Sequence, residues 1–235
     1  MTLAGPLARP CTCDNRDTCR VCYLYHTDPR YRALWGDPGA LFAPVMSARE
    51  RAKSYALLER VDAVLPGHVL CWGALLGYVR YGAALPWDDD IDVLCVDPPS
   101  VPELRGRLPG LEVTAHANGN VLVFDPRDPK IPGYHHAFPF LELVPARLDG
   151  ETVRANSVHH SEENAFPKDL VFPARRGTFG GVTCRVPNRP AELAAHKYGE
   201  QCLTTALPSR WSHRHERPTG FPQIRFPLPP YVEDP

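Results

Sequence analysis

Trp72-Gly73-Ala74-Leu75-Leu76-Gly77-Tyr78-Val79-Arg80-Tyr81-Gly82-Ala83-Ala84-Leu85-Pro86-Trp87-Asp88-Asp89-Asp90-Ile91-Asp92-Val93 is the stretch on which the reading of this chain turns. Side chains alternate along a strand, so residues two apart share a face. That phase groups Asp88, Asp90 and Asp92, and sets Asp89, Ile91 and Val93 opposite them. If the strand begins near Asp90, Ile91 and Val93 are buried while Asp90 and Asp92 project together. Two ionised carboxylates that close repel, and one of them would take up a proton unless a cation or an arginine offsets the charge. Hard oxygen ligands suit magnesium, which completes its shell with water and substrate phosphate. An acidic turn in solvent is the plain alternative, and acidic turns are common. What weighs against it is the setting, an apolar strand after the run and Gly73, Gly77 and Arg80 before it.

Working outward, Ser47 and Glu50 form a capping box ahead of Tyr55, Leu58, Val61, Asp62 and Leu65, which predicts a helix over 48–65 closed by Pro66-Gly67. A short strand from His68 to Trp72, a turn at Gly73 and a short helix from Ala74 to Val79 lead into the acidic run. The strand Asp90 to Val96 ends at Asp97-Pro98-Pro99. A helix is expected from Val101 to Leu108. Leu111 to Ala115 and Asn120 to Phe124 form a hairpin around Asn118-Gly119. Phe138 to Pro145 is a strand, and Asp149-Gly150 closes a further hairpin. A late strand spans Phe179 to Val186 with Gly180-Gly181 near its start. Asn188 caps a last helix, Ala191 to Tyr198, which Gly199 stops. The segments 105–140 and 150–175 carry little readable pattern. The order predicts an α+β fold, a mixed sheet flanked by helices. The organisation expected is a Cys-rich segment over 1–45, a catalytic domain over 46–202 and a Pro-rich, irregular tail over 203–235.

The bulk numbers narrow the function. A formal net charge of −1 gives no global case for nucleic acid or an anionic membrane surface. The 27 prolines in 235 residues are more than twice the usual ~5% and favour short elements joined by rigid turns. No stretch approaches the ~20 apolar residues of a membrane span, and Met1 to Pro10 holds no apolar run of signal-peptide length. As written the chain reads as soluble and cytoplasmic. A Golgi-lumenal or membrane-associated setting replaces that reading if it is trimmed from a longer protein.

The resemblance then becomes specific. The motif quoted above resembles the signature of the LicD family, Gly-[Thr/Ser]-Leu-Leu-Gly-x-x-Arg followed by Ile-Pro-Trp-Asp-x-Asp-x-Asp. Phe140-Leu141-Glu142-Leu143-Val144-Pro145 is similar to a family strand that usually carries Asp where Glu142 stands. Phe166-Pro167, Phe172-Pro173, Phe179-Gly180-Gly181, Val186-Pro187-Asn188 and Tyr198-Gly199 extend the likeness, which runs from about Ser47 to Gly199. The family includes bacterial phosphocholine transferases and animal fukutin-related ribitol-phosphate transferases. It implies a DNA polymerase beta-like nucleotidyltransferase core, with magnesium or manganese as cofactor, a CDP-activated alcohol as donor and a glycan hydroxyl as acceptor, releasing CMP. It implies three metal-holding carboxylates, Asp90, Asp92 and, from a neighbouring strand, Glu142. The alternative for Glu142 is an outward-facing edge residue. Asp88 would orient the site or deprotonate the acceptor. Arg80 would meet donor phosphate, or else sit in a surface salt bridge. Gly73 and Ala74 would bring backbone amides to the phosphates, although Ala74 stands where the family prefers a hydroxyl. Trp87 would stack on a ligand or fill the core. Two further functions stay open, a nucleotidyltransferase acting on a nucleoside triphosphate and a degenerate module that binds nucleotide or glycan without turnover.

Eight cysteines fall into two sets. Cys71, Cys95, Cys184 and Cys202 are scattered among apolar residues and read as small buried hydrophobes. Cys11, Cys13, Cys19 and Cys22 are crowded, with His26 after them. They suit a compact zinc knuckle in a reducing compartment, two disulfides in an oxidising one, or four unligated thiols. His135-His136, His159-His160 and His213-x-His215 read as polar loop histidines. The zinc alternative predicts about one zinc per chain in protein purified without chelator, lost in a Cys11→Ser, Cys22→Ser double variant. A metal-free protein with four reactive thiols in this segment rules it out.

Overall fold

The structure is a computed structural model that describes residues 46–156, 164–207, 211–218 and 226–228. The cysteine cluster Cys11 to Cys22, and His159 and His160, lie outside these residues. The described residues gather into two compact units. One is built from 52–85 and 90–203, and the other takes in 46–51, 86–89 and the described part of 204–235. Among the described residues no helix is long and apolar enough to cross a membrane.

Helix α1, Ala48–Val64, begins where the capping box places it. The Ser47 N–H donates to Glu50 Oε2 (2.9 Å) and the Glu50 N–H to Ser47 Oγ (3.3 Å). Leu58 and Val61 are fully buried on its inner face. Strand β1, His68–Leu70, is shorter than expected, because Trp72 already belongs to helix α2, Trp72–Tyr81. Gly73 is therefore the second residue of a helix and not a turn. Gly82 ends α2 in the left-handed region (φ +65), its N–H donating to the Tyr78 carbonyl. Strand β2, Ile91–Val96, follows. Helix α3, Val101–Arg107, opens on a second capping box made by Ser100 and Glu103, with Pro at its first turn. Strands β3, Glu112–Ala115, and β4, Val121–Phe124, form the antiparallel hairpin that Asn118-Gly119 announces.

The central strand is β5, Phe140–Asp149. Its first half pairs parallel with β2, Ile91 opposite Leu141 through Val96 opposite Ala146, and antiparallel with β4 on its other edge. Its second half turns at Gly150 and pairs with β6, Thr152–Ala155. Beyond β6 lies β7, Ala165–Pro167. The result is a seven-stranded mixed sheet, ordered β1-β2-β5-β4-β3 with β6 and β7 branching from the far half of β5. Leu94 and Val144 form one covered face with Leu75 of α2 and Leu193 of α5, Pro190–Tyr198. Ile91, Val93, Leu141 and Leu143 are fully buried on the other face. The fold is thus a mixed sheet with packed helices, as the element order predicts.

Several elements depart from the sequence reading. Gly180 (φ +57) and Gly181 (φ +84) are the turn between β8, Arg175–Phe179, and β9, Val182–Val186, not the start of one strand. Two consecutive positive φ values fit a tight hairpin turn that glycine adopts at low cost. Asn188 does not cap α5. Its side-chain amide donates to the Asp169 carbonyl (2.8 Å), and the helix starts after Arg189 because Pro190 presets its first φ. Helix α4, Lys168–Val171, and strands β6 and β7 occupy the stretch with no readable pattern. The tail is not wholly irregular. Thr205–Ala206 (β10) pairs with Phe226–Pro227 (β13), and Trp211–Ser212 (β11) with Arg217–Pro218 (β12). Cys71, Cys95, Cys184 and Cys202 are buried free thiols, and burial pushes Cys184 up to about 12.

Asp62 on α1 ties this helix to β1 and to the β8–β9 hairpin. Its carboxylate accepts from Arg176 Nη1 (2.6 Å) and the Arg185 N–H (2.9 Å), and it lies 3.3 Å from His68 Nε2. Burial opposes its ionisation. The His68 ring 3.3 Å away, the Arg176 guanidinium and the Arg185 N–H outweigh that cost and hold its pKa well below the usual carboxylate range. A depressed carboxylate adds stability that is present above its unfolded pKa of about 3.9 and is lost as pH falls through the folded value. Wild-type protein should therefore lose stability steeply below pH ~4. Asp62→Asn, already destabilised by roughly 3 kcal/mol at neutral pH, should lose less over the same window in acid-denaturation curves. Gly77 offers a second test. A Cβ there would press on the backbone of Ala83, Ala84 and Leu85, only 3.0 Å from the Leu85 nitrogen. Gly77→Ala should cost about 1–3 kcal/mol in chemical denaturation.

Candidate metal centre

Parallel pairing in register sets like positions side by side on the same face. Asp92 of β2 therefore stands opposite Glu142 of β5, each between two fully buried apolar residues. Asp90 ends the loop that feeds β2. Ligand oxygens of Asp90, Asp92 and Glu142 all lie within 4.8 Å of one another. The residues are 4%, 9% and 7% exposed. The same face continues two residues on as Leu94 and Val144, so the carboxylates occupy one end of a covered apolar layer. Three acidic groups this close and this dry carry a large repulsion that a compact, doubly charged cation offsets. The donor set is all oxygen, which fits magnesium or manganese and not a thiophilic metal.

The negative field reaches Cys71. Burial pushes its thiol well up, and the carboxylates of Asp92, Glu142 and Asp90 push the same way while Lys197 opposes them. The Cys71 N–H donates to the Asp92 carbonyl (3.2 Å), so α2 begins directly beside the carboxylates. Gly73 and Ala74 sit in the first turn of α2, where a helix leaves amide N–H groups without intrahelical acceptors. Trp72 opens that turn at φ +45, a strained conformation for a side-chain-bearing residue. The Lys197 ammonium lies 5.6 Å from the centre of its ring and also donates to Asn164 Oδ1.

Other residues singled out from sequence are placed differently. Arg80 turns its guanidinium to the Cys202 carbonyl, through Nε (2.8 Å) and Nη2 (2.6 Å). Asp88 is half-buried in the loop that precedes β2. The strand starts only at Ile91, so the alternation that groups Asp88 with Asp90 and Asp92 does not extend to it. Trp87 is 2% exposed and is a core residue. His135 and His215 are exposed, as loop histidines are, but His136 is buried edge-on against Phe140 (centroids 5.1 Å).

Three functional candidates escape a sequence reading. Asn118 Nδ2 (3.1 Å) and Asn120 Nδ2 (2.9 Å) both donate to Glu142 Oε1. The sequence signals Asn118-Gly119 as a turn, but nothing local says what the turn touches. Asp89 is fully buried. Its Oδ2 accepts from Ser212 Oγ (3.3 Å) and the Arg214 N–H (3.2 Å), and its Oδ1 from the His213 N–H (3.3 Å), which organises the turn between β11 and β12. No pattern in the Pro-rich tail points to that contact.

Residues 67–189, more than half of the chain, match the family described as LicD/FKTN/FKRP, nucleotidyltransferase domain. The matched span contains Gly73, Arg80, the acidic run and Glu142. No curated protein matches the chain.

Proposed function

The chain belongs to the LicD/FKTN/FKRP family, and on that premise we propose that it moves a phosphorylated alcohol, such as phosphocholine or ribitol phosphate, from a CDP-activated donor to a glycan hydroxyl. The family supports a transferase of phosphorylated groups; the CDP donor and the glycan acceptor are our reading. The observation that carries it is the pairing of Asp92 with Glu142, with Asp90 beside them, in the strands that the family match spans. The same reading takes the sheet as a DNA polymerase beta-like core.

In this proposal Asp90, Asp92 and Glu142 hold magnesium or manganese, which when bound supplies charge stabilisation for phosphate oxygens and acidifies a bound hydroxyl. The first turn of α2 presents the Gly73 and Ala74 amides to the donor pyrophosphate, and the positive end of the helix dipole favours that anion. A small residue at both positions keeps the backbone accessible. The acceptor oxygen forms a bond to the phosphorus that bears the alcohol. The bond from that phosphorus to the CMP oxygen breaks, CMP departs with the electron pair, and the hydroxyl proton passes to a carboxylate oxygen. The chain contributes alignment and charge more than covalent chemistry.

CMP release from CDP-choline, CDP-ribitol and CDP-glycerol, with magnesium, measures the reaction. Asp90→Asn and Asp92→Asn should each lower it by roughly a hundredfold or more, with the unfolding midpoint in the absence of metal unchanged or raised, because one repelling charge is gone. Full activity in either variant, or in excess EDTA, sinks the proposal. Pyrophosphate release from a nucleoside triphosphate would replace it with nucleotidyl transfer. Arg80→Ala separates two roles. Loss of the Cys202 contact lowers the midpoint in either case, and a phosphate contact in addition lowers CMP release measured where the variant is still folded.

A further inference from the structure

Glu142 has one more rotatable bond than Asp90 and Asp92 beside it, and therefore more side-chain freedom to lose when its oxygens are fixed. The β3–β4 turn removes that freedom. The His116 N–H donates to the Asn120 carbonyl (2.8 Å), the Gly119 N–H to the His116 carbonyl (3.0 Å) and the Asn120 N–H to Asn118 Oδ1 (2.9 Å). So tied, the turn brings both asparagine amides onto one atom, Glu142 Oε1. An ionised carboxylate only accepts, so the N–H side of each amide must face it. Neither amide engages Oε2.

We infer that Asn118 and Asn120 form a positioning clamp that makes Glu142 a one-oxygen ligand and thereby biases the site toward magnesium over calcium. The inference rests on the reading that Asp90, Asp92 and Glu142 hold a cation. Chelation by both oxygens of one carboxylate is a calcium habit, in shells of six to eight ligands. Magnesium demands near-octahedral geometry, takes single carboxylate oxygens and keeps several waters. With two N–H groups on Oε1, two-oxygen chelation loses out. A second observation points to the same ligand. Asn120 is 5% exposed, and its Oδ1 is buried with no hydrogen-bond partner among the described residues. Such an acceptor is costly to leave unmet. The unmet acceptor sits on the same amide whose nitrogen meets Glu142 Oε1, beside the candidate cation site.

Calorimetric titration of the full chain with magnesium alone and with calcium alone tests this, comparing wild type, Asn120→Ala, Asn118→Ser and Asp92→Asn. Asn118→Ser keeps an acceptor for the Asn120 N–H and so keeps the turn. Circular dichroism and the unfolding midpoint report whether each variant is folded. Wild type should prefer magnesium. Each asparagine variant should lose about tenfold in magnesium affinity and less for calcium, moving the ratio toward calcium by about threefold or more. An unchanged ratio in folded Asn118→Ser, or a wild type without preference, overturns the clamp. Wild type that binds neither ion, like Asp92→Asn, overturns the cation reading and the clamp with it. Binding that is lost in Asp92→Asn, with a ratio untouched in the asparagine variants, overturns the clamp alone.

Discussion

The parallel pairing of β2 with β5 is the constraint on which the rest of the main unit depends. Side chains alternate with a period of two, so a slip of one residue would bury Glu142 where Leu141 or Leu143 now lies and send an apolar side chain to the carboxylate end. Fully buried Ile91, Val93, Leu141 and Leu143 on one face make such a slip costly. The hairpin partner β4 locks β5 from the other edge, with Leu122 opposite Glu142. The same hydrophobic pattern that builds the core thus fixes where the charges stand. The repulsion among them is a cost that the apolar burial around them carries in the folded chain.

A comparable economy governs the edges. Asp62 is one buried carboxylate serving three elements, and its charge is tolerated because donors from β1 and the β8–β9 hairpin converge on it. In the second unit Asp89 does similar work for the β11–β12 turn. Within one run of three aspartates, Asp89 is spent on backbone amides while Asp90 stands beside Asp92 and Glu142. Neighbours in sequence therefore differ in role because the loop before β2 turns their side chains to different surroundings.

Much of this was legible in the residues and some was not, for physical reasons. The capping box at Ser47 and the Asn118-Gly119 hairpin are local, and local chemistry is what a sequence displays. The juxtaposition of Glu142 with Asp92 was legible only through the family motif, since nothing along either strand announces its partner. The elements β6, α4 and β7 are three or four residues each, too short for periodicity to show. Gly180-Gly181 was visible, but whether a glycine pair interrupts a strand or reverses it depends on what pairs across it. The contacts of Asn118, Asn120, Asp89 and Arg80 all join residues far apart in sequence, and side-chain tertiary contacts leave no periodic trace.

The separation between β2 and β5 has one more consequence. Their ladder joins Ile91 to Leu141, with α3, β3 and β4 strung between them. Closing a connection of that length costs chain entropy before any pairing rewards it, and non-local parallel pairing is slow to form. The hairpin β3–β4, by contrast, pairs residues close in sequence. The carboxylates therefore come together only when the least local contact of the sheet closes. A ligand that recognises all three carboxylates together therefore needs this ladder closed, and senses completion of the fold as well as the identity of the residues.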